Sequence, residues 1–424
     1  MDRDGLSVMP ETAPAEPAAR RRGTFRALGS RPFRLYFAGQ VASASGTFLQ
    51  QTAIGWLVLQ LTHSASALGL VLAAGGIPSL LLGPWGGALA DRIDLRRLLL
   101  ATQAAYAVCA GLLWALAASG HASVAAIVAI NVVAGLVSIP DSPARQAFVS
   151  ALVPPDDLAS AVSLNGVVVN GARVIGPALA GALIVTVGTT PCFAVNAISY
   201  LAVIVALLFV RPRSAGRRPA GRAGVGAALT YARGRQQLWL PLTMMALVGL
   251  FAFNFAVVLP VLADRTLHGG GGTYSLLSTM LSIGSVAGSL AVGLVRHPRR
   301  PYLVAAAAAF GVGLALTAVA PGVVVACASL LVTGVAAFSF VTLCSTTLQL
   351  HSSSEFRGRV MALWVFVYLG TTPIGSVLTG WIVSAGGPRA ALWVGAAACL
   401  VAALVAGRVH TPPHPDAAYA DLPR

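Results

Sequence analysis

The chain has 424 residues, of which 57% are hydrophobic and 10% charged, where a soluble domain carries about 25% charged residues. That composition excludes a domain folded in water, and the long uninterrupted apolar runs exclude a closed β-barrel, whose strands would alternate. The net charge of +15 comes from arginine alone, with no lysine in the chain; the arginines sit in short clusters between apolar runs, which marks them as topology signals, and no nucleic-acid partner is expected.

Residues 1–34 open with a stretch rich in Pro, Ala and Glu that runs into Arg20, Arg21 and Arg22. It lacks the apolar core of a cleavable signal and reads as a disordered cytoplasmic tail. Beyond it, about twelve windows of roughly 20 apolar residues are each long enough to cross a ~30 Å hydrocarbon core. They lie near 35–61, 67–90, 98–118, 124–140, 161–187 and 193–210, then near 238–263, 274–295, 303–320, 323–350, 360–385 and 391–409. The prediction is an all-α membrane protein with two pseudo-symmetric six-helix bundles, residues 35–210 and 238–409. A cytoplasmic linker of Gly, Pro and Arg, residues 211–237, joins them and holds a surface helix near 223–235. Residues 410–424 form a second tail.

Arginine fixes the orientation, because every second connection collects it. Both tails, the Arg92–Arg97 turn, Arg145, the linker, Arg296–Arg300 and Arg357–Arg359 fall on one side, against Arg265 and Arg389 on the other. Both termini are therefore expected to be cytoplasmic. Cys109, Cys192, Cys327, Cys344 and Cys399 all fall in apolar runs without metal-ligand spacing, so they read as buried thiols.

Sliding one half along the other superposes Asp156 on Glu355, Leu164 on Leu363, Gly176 on Gly375 and Gly181 on Gly380. A duplication of this kind gives two bundles that can rock about a central cavity, exposing it to each side in turn. Gly171, Gly176, Pro177 and Gly181 in the fifth span, and Pro373 and Gly375 in the eleventh, are placed to bend helices and let them approach closely.

The run from Gly86 to Arg97 resembles the signature loop between the second and third helices of the major facilitator superfamily. Within it Gly87, Asp91, Arg92, Arg96 and Arg97 match the motif whose acid and bases lock the two halves on the cytoplasmic face. Asp141 and Arg145 close the fourth span on that face, so Asp141 is expected to latch onto Arg96 or Arg97. The repeat puts Glu355, Arg357 and Arg359 in the matching place of the second half, although a solvated helix start explains each of these residues taken singly.

Arg173 stands apart, roughly thirteen residues or ~20 Å into its span. An arginine at helix centre costs about 2.5 to 3.5 kcal/mol, so it must face water, backbone carbonyls, a partner or an anionic ligand. Gln50, Gln51, Asn131, Asn165, Asn170, Asn254, Trp364 and Tyr368 are candidates to line a mostly neutral chamber around it, or to act as polar glue between helices. The fifth-span glycines also partly resemble the motif of drug and metabolite antiporters.

No acid falls well inside a predicted span. Asp264, followed by Asp141, is the least poor candidate to carry a proton. No phosphate-cradling loop, metal site or paired nucleophile and base is present in the sequence, so an enzyme, a cofactor and a metal are not expected. The stretches Trp56 to Thr62, Ala90-Asp91-Arg92 and Arg145 to Phe148 are similar to bacterial exporters of the enterobactin and macrolide efflux type. That resemblance implies a monomeric, multi-pass transporter of the bacterial inner membrane that exports a small amphipathic molecule in exchange for protons. Two alternatives are weighed beside it: uptake or facilitated diffusion of an anionic metabolite, and a sensor or scaffold that keeps the fold without transporting.

Overall fold

The computed structural model describes residues 25–90, 93–210, 225–295 and 299–408. Helices α1 (Arg31–Thr62), α2 (Ala65–Ala90), α3 (Leu95–Ala118), α4 (Val124–Leu152), α5 (Leu158–Thr186) and α6 (Thr190–Phe209) form the first half. The short helix α7 (Val225–Arg233) lies in the linker. The second half comprises α8 (Gln236–Phe251), α9 (Phe255–Val261), α10 (Gly270–Gly293), α11 (Arg300–Ala318), α12 (Val323–His351) and α13 (Arg357–Arg408). No strand occurs among the described residues.

Among the described residues, ten helical segments are long and apolar enough to cross a membrane. The 32-residue α1 is not among them, because Gln40, Ser43, Thr47, Gln50, Gln51 and Thr52 dilute its apolar character. The 52 residues of α13 amount to about 78 Å of helix, two bilayer crossings. They are divided at Gly387, whose φ of 80° and ψ of 172° reverse the chain in a region open essentially to glycine alone. Twelve crossings result, and large apolar side chains such as Leu81, Val185, Phe209, Leu294 and Trp381 are left exposed on the outside of the bundle, as a lipid-facing surface requires.

Local signals set the ends. The Asp94 carboxylate accepts the Arg97 backbone N–H at 2.9 Å to open α3, and Ser123 caps α4 through the Ala126 N–H. His63 closes α1 in the left-handed region, its N–H on the Leu59 carbonyl. Arg96 spans the first half to cap α6, donating to the carbonyls of Leu207 and Leu208 at 2.6 Å each, a cation where the helix dipole is negative.

Two spans differ from the sequence expectation. The fourth was expected to end at Pro140, yet α4 continues through Pro140 and Pro143 to Leu152. Its last turns are buried in a cluster with Phe33, Tyr36, Leu98 and Leu207, and tertiary burial outweighs the two missing N–H groups. The seventh was read as one helix, but it breaks between α8 and α9. There the Asn254 side chain donates to the Leu250 carbonyl at 2.7 Å, and a π turn at Leu262–Thr266 follows.

The halves meet through α2 against α13 and α5 against α10, with α1 touching α9 and α10. The glycines superposed by the repeat do equivalent work. Gly176 abuts Phe48 and Leu49 on the first span of its own half, and Gly375 abuts Leu250 and Asn254 at the α8–α9 break in the first span of the other. Gly181 meets Ser275 of α10 across the seam, and Gly380 meets Ala65 of α2 across the opposite seam. Five residues, about 140° of helical turn, separate the inward-packing glycine from the seam glycine in both cases.

Candidate functional site

Between the halves lies a cavity of about 640 Å³. Thr47, Phe48, Gln50 and Gln51 of α1, Tyr106 of α3, Asn131 and Arg145 of α4, Arg173 and Pro177 of α5 and Tyr200 of α6 line it on one side. The second half supplies Phe255 together with Tyr274, Ser278 and Ser282 of α10. Two arginines face this space, and no carboxylate does among its described lining residues.

Behind the wall sits the acid that the sequence reading placed at a helix end. Because α4 runs on to Leu152, Asp141 is about 26 Å along it from its start and about 16 Å from its finish. It is 4% exposed. Its Oδ2 pairs with Arg145 Nη2 at 2.5 Å, one helical turn on, while Oδ1 accepts from Thr102 at 2.7 Å and Gln103 at 3.1 Å on α3. Arg145 Nη1 donates to Gln40 of α1 at 2.7 Å. The latch from Asp141 to Arg96 or Arg97 does not form: Arg96 caps α6, and Asp141 is spent on its own helix and on α3. Removing one member of such a buried pair costs about 3 to 5 kcal/mol, since the other charge is stranded.

The remaining gate-motif residues are dispersed. Gly87 falls in the last turn of α2, and Asp91 and Arg92 lie outside the described residues. In the second half, Glu355 is exposed and makes no ion pair among the described residues, and Arg357 donates to the Ser352 carbonyl. Arg359 lies 4.8 Å from the Phe356 ring centre, Phe356 stacks on Tyr231 of α7 at 4.1 Å and 4°, and Arg235 covers Tyr231 at 4.1 Å. Since each ring already covers one face of the other, the cations occupy the outer faces, and the linker helix is held to the start of α13. Of the three predicted gate residues here, Arg359 joins the clamp on the linker rather than one on the first half in this conformation.

Arg173 reaches across the cavity. Its guanidinium lies 4.7 Å from the ring centre of Phe338 on α12 and 5.7 Å from that of Phe48 on α1. Its Nε is covered and has no hydrogen-bond partner. Gln50, Gln51 and Asn131 share the wall with it. Asn165, Asn170, Asn254, Trp364 and Tyr368 do not line this space: Asn170 bonds to the Gly166 carbonyl, Asn254 to that of Leu250, and Trp364 stacks on Tyr368 at 6.0 Å within the second half. Asp264 lies in the π turn near His63, far from the buried pair, while its neighbour Arg265 donates to the His63 carbonyl. Phe338, Tyr106 and Tyr200 gave no signal in the sequence, because an aromatic residue in an apolar run reads as packing.

The cavity is closed at the end where His63 lies. Along α2 and α13, Gly69 packs on the Ser376 carbonyl and Gly76 on the Pro373 ring, and the Ser66 and Ser384 hydroxyls meet at 2.7 Å. Trp56 and Tyr274 stack at 6.4 Å. Tyr274 belongs to the central wall and Trp56 to a hollow of about 510 Å³ beyond it, so this pair is the partition between the two. Toward the opposite end α4 packs on α1, α2, α3 and α5 and makes no substantial packing contact with a described helix of the second half.

The family model described as "Transmembrane secretion effector" matches residues 22–422. The staphyloferrin A transporter of Staphylococcus aureus is 28% identical over 61% of this chain and 66% of its own length, just under two thirds. The multidrug efflux pump Tap of Mycobacterium tuberculosis is 25% identical over 89% of this chain and 93% of its own. Among solved structures, a mutant of the nucleoside transporter NupG superposes with a TM-score of 0.73 at 12% identity, covering 89% of this chain and 98% of that one, which establishes the fold. With a family match across nearly its full length, twelve crossings and relatives that are transporters rather than enzymes, the chain belongs to the transmembrane secretion effectors of the major facilitator superfamily, multi-pass transporters of the cell membrane.

Proposed function

We propose that this transporter exports small amphipathic molecules by alternating access, energised by the proton motive force, with Asp141 as the group that takes up and releases the proton. The observation that carries the reading is the buried Asp141–Arg145 pair set against the wall of a cavity shared by two related halves. A carboxylate held by an arginine and two neutral donors at mid-helix can change protonation only when the cavity admits water, which ties its charge to the state of the seam. Export, rather than uptake, is supported by the relatives named for efflux. The arginine-rich end, where α4 lacks substantial packing on the described second half, is assigned to the cytoplasm, so the conformation described here would load cargo from inside. Asp264 is the weaker proton candidate, being remote from the cavity wall.

The test is efflux of ethidium from preloaded cells expressing the chain, compared with Asp141→Asn and with cells lacking the protein. Wild type should clear the dye faster when energised, and Asp141→Asn should fall to the background rate when compared at equal amounts of folded carrier in the membrane. Equal clearance by the variant removes Asp141 from the mechanism, and no clearance above background by wild type removes export of this class of molecule.

A further inference from the structure

We infer that the cargo includes carboxylate-bearing amphipathic molecules and that Arg173 is the point at which the acidic group is held. This deepens the export reading and rests on it. Arg173 is the cavity arginine left without a counter-ion among the described residues: the one buried acid nearby, Asp141, is taken by Arg145, Thr102 and Gln103. The guanidinium carbon lies over the rings of Phe338 and Phe48, at 4.7 and 5.7 Å from their centres. An aromatic ring accepts the positive charge but none of the in-plane hydrogen bonds, and the Arg173 Nε has no partner, so the fork of donors that binds a carboxylate in two parallel hydrogen bonds is left for a ligand.

The surroundings suit the same ligand. Gln50 spends its carbonyl on Asn196 at 2.8 Å, leaving its NH₂ group to donate. The wall carries no described carboxylate to repel an anion or to attract a cation. Phe48 and Arg173 line the cavity from the first half, and Phe255 and Tyr274 from the second, so an acid held at Arg173 with its apolar part against these rings would touch both bundles at once.

The purified full chain in detergent is titrated with dansylglycine and with its neutral amide, following dansyl fluorescence. Wild type should bind the carboxylate at least roughly tenfold more tightly than the amide, the effect of one charge-assisted hydrogen-bonded pair. Arg173→Gln should abolish that preference, and Arg173→Lys should keep part of it. Equal binding of the two probes by wild type overturns the inference even if the glutamine variant does not fold, and leaves the export reading standing. A preference retained in Arg173→Gln also overturns it, while wild type that binds neither probe overturns this inference and the amphipathic cargo together.

Discussion

A single methyl group at Gly76 should shift the conformational equilibrium of the whole carrier. A Cβ built there would lie 2.6 Å from Cγ of Pro373 and 3.5 Å from its Cβ, against an ordinary carbon contact of about 3.5 to 4.0 Å. The proline ring is fixed in α13 and cannot rotate away, so relief requires the two helices to part by about 1 Å. Overpacking of this kind costs about 1 to 3 kcal/mol. The strain exists only while the seam is closed, so Gly76→Ala should lower the ratio of closed to open carrier about 5- to 150-fold. The Ser66 and Ser384 hydroxyls, 2.7 Å apart across the same seam, supply the reporter. As a cysteine pair, in a chain whose five native cysteines are alanine, they should oxidise readily, arrest ethidium efflux and release it on reduction. Adding Gly76→Ala should slow the oxidation by the fraction of closed carrier lost. A cross-linked carrier that still transports would show that this seam never opens, and unchanged oxidation in the Gly76→Ala background would show that the methyl is absorbed without moving the halves.

Two further substitutions test parts of the fold. Gly387→Ala puts a side chain into a backbone region nearly closed to it and should cost about 1 to 3 kcal/mol, seen as a lower melting temperature of the detergent-solubilised protein; an unchanged melting temperature would mean that the reversal in α13 relaxes freely. Tyr231→Ala removes the middle of the stack from Arg235 to Arg359 and the Ser353 hydrogen bonds, so trypsin should cut after Arg233 and Arg235 several-fold faster while the rest of the chain keeps its resistance.

Much of the architecture was legible because a bilayer imposes few choices: runs of about 20 apolar residues became helices, and the glycines superposed by the repeat took equivalent seats. The site was less legible, for a reason visible at Asp141. Read along the sequence, Ile139-Pro140-Asp141-Ser142-Pro143 looks like a loop, because prolines and a charge usually end a span. What overrides that reading is non-local: Thr102 and Gln103, 39 and 38 residues away, satisfy the carboxylate, and Phe148 and Leu152 bury the turns beyond it. Hydropathy sums a window and cannot register partners on another helix. Arg173 was legible for the opposite reason, since a lone charge inside a long apolar run needs no partner to be noticed. Phe338, which makes its environment, was one aromatic residue among many.

The two proposed sites constrain each other through the sign of their coupling. With Asp141 ionised, Arg145 is neutralised and Arg173 gives the cavity one net positive charge. Protonating Asp141 releases Arg145 from its counter-ion and adds a second. An anion should therefore bind more tightly to the protonated carrier, and by reciprocity its presence should hold the proton on Asp141. Exchange needs the reverse, a cargo whose binding expels the proton, and a cationic amphiphile competing for Asp141 meets that condition. An anionic cargo does not need the exchange: leaving a cell that is negative inside is downhill by about 2.3 kcal/mol for each 100 mV. In proteoliposomes, dansylglycine efflux should then follow an imposed potassium diffusion potential and gain nothing from a pH step that is acid outside, whereas ethidium efflux should be driven by that step and lose the response in Asp141→Asn. Dansylglycine efflux driven by the acid-outside step at zero potential would mean that anion and proton displace each other. That outcome would place the acid of the cargo at Arg145, in competition with Asp141, and take it away from Arg173.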